Sequence, residues 1–192
     1  MQIGLSGVIQ KRMKGITLQP AEGEELVFCW DTHLIKYRNR NVLLIVNANS
    51  RYAIIMTGMG AQDWKYYSTY IHKAIYFALQ AEGYSQEQIN EYFKRAGDYT
   101  ITKTHGRKAV SGFNHVGMLI EYLETGLEQN VHYQRELSHI ANRDICKPIG
   151  FNEYGYPEEF FELDLQRLGI VKEKKSAKII DLKQYRQVIQ HQ

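Results

Sequence analysis

The densest set of chemically useful side chains lies in YTITKTHGRKAVSGFNHVG, residues 99–117, where Lys103, His105, Arg107 and Lys108 fall within six residues directly after a strand-like run. An ammonium, a guanidinium and an imidazole in close sequence are groups that neutralise and hydrogen-bond phosphate or carboxylate oxygens. Gly106 and Gly112 permit close backbone approach to a ligand. Ser111 or Asn114 is placed to cap the helix that follows, whose first N–H groups attract an anion. The stretch matches neither the Walker A nor the dinucleotide glycine pattern. It therefore reads either as an anion-binding strand-to-helix loop or as a solvated, capped turn.

A second set lies in WDTHLIKYRNRN, residues 30–41. Strand alternation places His33, Ile35 and Tyr37 on one face and Thr32, Leu34 and Lys36 on the other. An imidazole among apolar neighbours is either a hydrogen-bonded core residue or a base. In the second case His33 or His105 would take a proton while Lys103 and Arg107 stabilise developing negative charge, as in a phosphoester-directed hydrolase or nuclease. No G-x-S-x-G, D-x-D or paired-carboxylate motif accompanies them, so catalytic residues are not assigned and enzyme status stays open. A third set, Arg135, His139 and Arg143, recurs at four-residue steps with Lys147 and would line one side of a helix, as a stripe for a nucleic-acid backbone or as a solvated face. Tyr66, Tyr67, Tyr70 and Tyr76 crowd a fourth region, where they would stack on bases, line a dimer interface or pack on a sheet.

The seven histidines show no H-x-x-x-H or H-E-x-x-H spacing, and Cys29 and Cys146 are far apart, so the expectation is no metal, no cofactor and two buried thiols. No apolar run approaches the roughly 18 residues of a membrane helix, and the N-terminus lacks a signal-peptide layout, so a cytoplasmic protein with no membrane partner is expected. The formal charge is +3, but residues 171–192 carry six basic against two acidic groups, a net of +4 that leaves the rest of the chain at −1. The body is thus not a general polyanion binder, and an anionic partner would have to use local patches.

These sets need elements to hold them. Residues 2–5 suit a short strand followed by a helical stretch to about residue 14. THLIKY, VLLIVN and RYAIIMT read as three strands with short connections, an antiparallel meander whose middle strand is apolar on both faces and so covered by helices. Helical spacing follows over 63–82, then a capping box from Ser85 and Gln88 opens a helix to about 96. A strand over 99–104 and helices over 111–125, 131–143 and 157–168 complete the body. The fold expected is α+β, an antiparallel β-meander sheet packed against several helices. It forms one domain over residues 1–170, with a basic tail over 171–192 as a docking segment.

WDTHLIKYRNRNVLLIVNANSRYAIIMTG and TKTHGRKAVSGFNHVGMLIEY, with a weaker echo in ELSHIANRDICKPIG, resemble a family of small, mostly bacterial proteins grouped as a domain of unknown function. The resemblance spans most of residues 1–150 and rests on Trp30, His33, Arg40, Asn47, Lys103, Thr104, Arg107, Gly112 and Asn114. It implies a shared fold and a shared pocket but no activity. Combined with the residue reading, it makes His33, Lys103, Thr104, His105, Arg107 and Asn114 the candidate ligand-binding set, with Arg135, His139 and Arg143 for nucleic acid. The leading expectation is a small binding protein for an anionic small molecule or a macromolecule. The alternatives are a phosphoester hydrolase, or an antitoxin-like or defence-related protein that engages a protein partner or a second copy through its tail.

Overall fold

The computed structural model describes residues 1–123 and 126–172. The basic tail and its docking role lie outside the described residues. The chain is α+β: five strands form one mixed sheet and the described residues include seven α-helices. In chain order these are β1 (Gln2–Leu5), α1 (Gly7–Arg12), β2 (Cys29–Tyr37), β3 (Arg40–Asn47), β4 (Ala53–Thr57), α2 (Ala61–Lys65), α3 (Tyr67–Ala81), α4 (Gln86–Ala96), β5 (Thr100–Lys103), α5 (Arg107–Tyr122), α6 (Arg135–Asn142) and α7 (Pro157–Arg167).

The strand order is β4-β3-β2-β1-β5. β2, β3 and β4 form the expected antiparallel meander. The sheet as a whole is not antiparallel, because β1 pairs in parallel with both β2 and β5. The reason is connectivity: α1 and a long loop return the chain to β2 in the same direction as β1, and α2 to α4 separate the meander from β5. Connections of that length make parallel crossovers, which two-residue turns cannot. The β2–β3 turn is such a two-residue turn, with Arg38 and Asn39 at φ 45° and 64°, the left-handed pair that matches strand twist.

Strand alternation divides the sheet into two apolar faces. Ile3, Leu5, Trp30, Leu43, Ile45 and Ile54 join one core with Ile71 and Ile75 of α3, Tyr92 of α4 and Phe161 of α7. Val42, Leu44, Val46 and Ile55 join a second core with Phe113, Val116 and Ile120 of α5 and Leu137 of α6. β3 is therefore interior and apolar on both sides, as its composition predicts. Burying an indole requires a partner for its N–H. Trp30 Nε1 donates to Tyr92 Oη at 2.8 Å, and that hydroxyl donates to the Val27 carbonyl at 2.9 Å.

The outer edge of β4 is closed by side chains. Asn142 Oδ1 accepts from Ala53 N–H at 2.7 Å, its Nδ2 donates to Ala53 O at 3.0 Å, and Ser138 Oγ accepts from Ile55 N–H at 3.0 Å. An edge left open would template pairing with another chain. Here α6 lies against it and supplies the missing partners. α6 ends at Asn142, so the four-residue series from Arg135 does not reach Lys147 on one helix. The helical run over 63–82 is two helices joined at Tyr66, and the helix expected over 111–125 starts earlier, at Arg107.

Candidate functional site

The strand-to-helix stretch is held by a buried polar latch. His105 Nδ1 lies 2.7 Å from Asp31 Oδ1 and Nε2 lies 2.8 Å from Gln2 Oε1. The His105 and Asp31 side chains are 4% and 1% exposed. The Gln2 amide is oriented by its Nε2, which donates to the Glu22 carbonyl at 3.0 Å, so its oxygen faces the imidazole. Both ring nitrogens thus lie against side-chain oxygens of the protein itself, so neither faces a substrate. The His105 backbone N–H donates to the same carboxylate, at 3.1 and 3.2 Å to its two oxygens. Gly4 makes room: a Cβ there would sit 1.9 Å from Asp31 Oδ1. Cys29, beside Gln2, has its thiol pKa pushed up to about 12, first by burial and then by Glu24 and Asp31. Cys29 and Cys146 are both free and buried, as expected.

The other members of the set do not gather around His105. His33 is half-buried and stacks on Phe113 with centroids 5.1 Å apart. Burial lowers its pKa, and Nδ1 is buried without a partner among the described residues. Lys103 is exposed and pairs with Leu5, on the sheet face opposite Asp31. Thr104 is half-buried at the strand end. Arg107 and Asn114 are exposed along α5, whose N-cap is Gly106 with no side-chain cap, in place of the Ser111 or Asn114 expected there. Arg51 docks on this helix instead, with Nη2 donating to Ser111 Oγ at 2.7 Å. In the series for nucleic acid, Arg135 Nη2 donates to the Ala81 carbonyl at 2.9 Å, Arg143 Nε pairs with Glu158 at 2.9 Å, and His139 stands beside Glu82 and Glu158.

Concavity lies at the other end of the meander. A cavity of about 580 Å³ is lined by residues that include Arg40, Asn41, Thr57, Asn130 and His132, and a neighbouring one of about 340 Å³ shares Arg40 and adds Arg38. One wall is the strand pair β3 and β4. The other is the loop over 126–134, stapled to β4 by Gln134, which is 1% exposed. Gln134 Nε2 donates to Val131 O at 2.7 Å and to Thr57 Oγ1 at 3.1 Å, while its Oε1 accepts from Glu128 N–H at 2.7 Å. The Thr57 N–H donates to His132 O at 2.8 Å. The His132 ring rests over Gly58, where a Cβ would lie 3.3 Å from Cε1 and where φ is +74°. Asn130, at φ 60°, is left-handed like Arg38 and Asn39. The Arg40 side chain has no ion pair or hydrogen bond among the described residues, so its guanidinium donors remain for a ligand.

Sequence reasoning named Arg40 only among the residues that carry the family resemblance, left it out of the candidate ligand-binding set, and did not single out Asp31, Gln2, His132 or Gln134. Asp31 carried a readable cue, since a carboxylate inside a strand with Trp30 and Thr32 needs a buried partner. Gln134 carried none.

Among the described residues no helix is long and apolar enough to cross a membrane. No curated protein matches the chain. The buried Trp30, the latched strand-to-helix stretch and the Arg40 turn all fall within residues 2–160, which match a family profile over that whole span, and the chain belongs to that family, the domain of unknown function DUF6933.

Proposed function

We propose that the protein is a binding protein for a small anionic molecule, held in the cavity at Arg40. The observation that carries this is the Arg40 guanidinium, free of protein partners among the described residues, on the wall of a cavity of about 580 Å³. That volume falls in the usual range for small-molecule sites, roughly 300–1,000 Å³. The remaining lining suits a ligand with both acceptors and donors. Asn41 and Asn130 offer amides, His132 an imidazole, and Glu128 a carboxylate that would accept from a hydroxyl or ammonium group. A small acid bearing such a group fits this chemistry better than a bare polyanion does. Asn130, on the cavity lining, holds a left-handed backbone conformation at φ 60°, and conformations of this kind cluster at ligand clamps.

This reading keeps the anion-binding expectation and moves its location. With His105 committed to Asp31 and Gln2, the α5 loop retains Arg107 and Lys108 as exposed charges but loses its imidazole.

The test is calorimetric titration with inorganic phosphate and with glutamate, comparing wild type, Arg40→Ala and Arg107→Ala. Charge-assisted hydrogen bonds contribute about 1.5–3 kcal/mol, so Arg40→Ala is expected to weaken binding by roughly 10- to 100-fold. Arg107→Ala is expected to leave it unchanged. Loss of binding in Arg107→Ala but not in Arg40→Ala would return the site to the α5 loop. Absence of binding by either compound at about 10 mM would overturn the reading.

A further inference from the structure

Three elements, α3, α6 and α7, bring chemically matched side chains together. Glu82 follows the C-terminus of α3, His139 sits in the last turn of α6, and Glu158 lies in the first turn of α7. One ligand atom from each falls within 4.8 Å of the other two. Two donors on one metal ion, each at about 2.1 Å, are at most about 4.2 Å apart, so side-chain rotation of well under a residue length closes the set. Two cross-links hold the three elements together before any ion arrives. Arg135, one turn before His139, donates to the carbonyl of Ala81, the residue before Glu82, at 2.9 Å. Arg143 Nε holds Glu158 Oε1 at 2.9 Å, which leaves Oε2 to coordinate. This is how an outer group commonly orients a ligating carboxylate.

A second, independent observation lies beside two of these three ligands, Glu82 and Glu158. Tyr52 lines a cavity of about 290 Å³ together with Glu82, Arg143, Glu158 and Glu159. Tyr52 is 2% exposed and its hydroxyl has no hydrogen-bond partner among the described residues. A buried hydroxyl without a partner is costly. A water bound to an ion at the three ligands would supply the missing partner.

We infer that Glu82, His139 and Glu158 form a binding site for one divalent transition-metal ion of the zinc and manganese class. One imidazole nitrogen with two carboxylates is a donor set for such ions, whereas magnesium and calcium sites are built of oxygen alone. Three protein ligands leave positions for water or a substrate atom. The ligands come from three separate helical elements, so no short sequence spacing announces them.

The experiment is calorimetric titration of the tag-free full chain with Zn²⁺, repeated with Mg²⁺. One Zn²⁺ per chain is expected, with Kd below about 100 µM, while Mg²⁺ at the same concentrations gives no heat. Glu82→Gln and His139→Ala are each expected to weaken Zn²⁺ binding at least 10-fold with an unchanged circular dichroism spectrum. His115→Ala, whose imidazole pairs with Asp144 at 2.7 Å outside this cluster, is expected to have no effect. If His139→Ala fails to fold, the same comparison rests on Glu82→Gln, whose side chain makes no hydrogen bond or ion pair among the described residues. Zn²⁺ binding that is weaker than this limit, or that survives Glu82→Gln, overturns the inference.

Discussion

At the scale of single residues, burial decides what each imidazole does. His105 is enclosed and spends both nitrogens on Asp31 and Gln2, so it positions the chain entering α5. Gly4 is the position on which this depends, because a methyl group would lie 1.9 Å from Asp31 Oδ1. Gly4→Ala is expected to cost about 2–3 kcal/mol in chemical denaturation, the scale of an overpacked core, and to release the His105 ring in NMR spectra. An unchanged midpoint would show that the latch yields freely. His33 differs, being half-buried with a lowered pKa because burial disfavours its charged form. The unfolded chain therefore binds more protons than the folded one between the lowered folded pKa and the ordinary value near 6.5. Stability is accordingly lost as pH falls through that window. His72, also lowered by burial, acts in the same direction. His33→Phe, which keeps a ring against Phe113, is expected to flatten the slope of unfolding free energy against pH on the acid side of 6.5. A slope equal to that of wild type would assign the effect to His72 alone.

At the scale of elements, features set by near neighbours in sequence were legible. The Ser85 and Gln88 capping box forms in both directions, at 3.3 and 2.8 Å. The meander follows from its short turns, and β3 is covered on both faces because it is apolar on both. Parallel pairing of β1 with β2 and β5 was not legible, since it depends on which way long connections return. The partner of His105 was hidden for the same reason: Asp31 and Gln2 reach it only through that parallel pairing. The β4 edge depends on Asn142 and Ser138, polar residues that a helical pattern alone marks as solvent-facing. Their energetic weight can be compared with a cap. Asn142→Leu leaves the Ala53 N–H and carbonyl without partners and is expected to cost about 2–4 kcal/mol. Ser85→Ala, at an exposed helix end, is expected to cost about 1 kcal/mol. Denaturation midpoints of the two variants check the order, and equal losses would mean that water replaces the Asn142 bonds at the edge.

At the scale of the whole molecule, one mixed sheet presents its polar features at separate places. The latch sits where β1, β2 and β5 meet, the Arg40 cavity beyond the β2–β3 turn, and the Glu82, His139 and Glu158 cluster where α3, α6 and α7 approach. The sequence pointed to anion chemistry through its basic residues, yet local clustering in the chain favoured the 103–114 stretch, whose members the fold then assigns to opposite sheet faces and to the interior. Arg40 stood out only through the family resemblance and not as a ligand residue, because its cavity is completed by the 126–134 loop and the buried Gln134. The most direct measurement of the central claim is NMR mapping of the chain during titration with inorganic phosphate. Saturable shifts are expected at the Arg40 Nε–H and at the side-chain amides of Asn41 and Asn130, with the backbone N–H groups of Arg107 and Lys108 unmoved. Saturable shifts confined to Arg107 and Lys108, or no saturable shift anywhere, would contradict it.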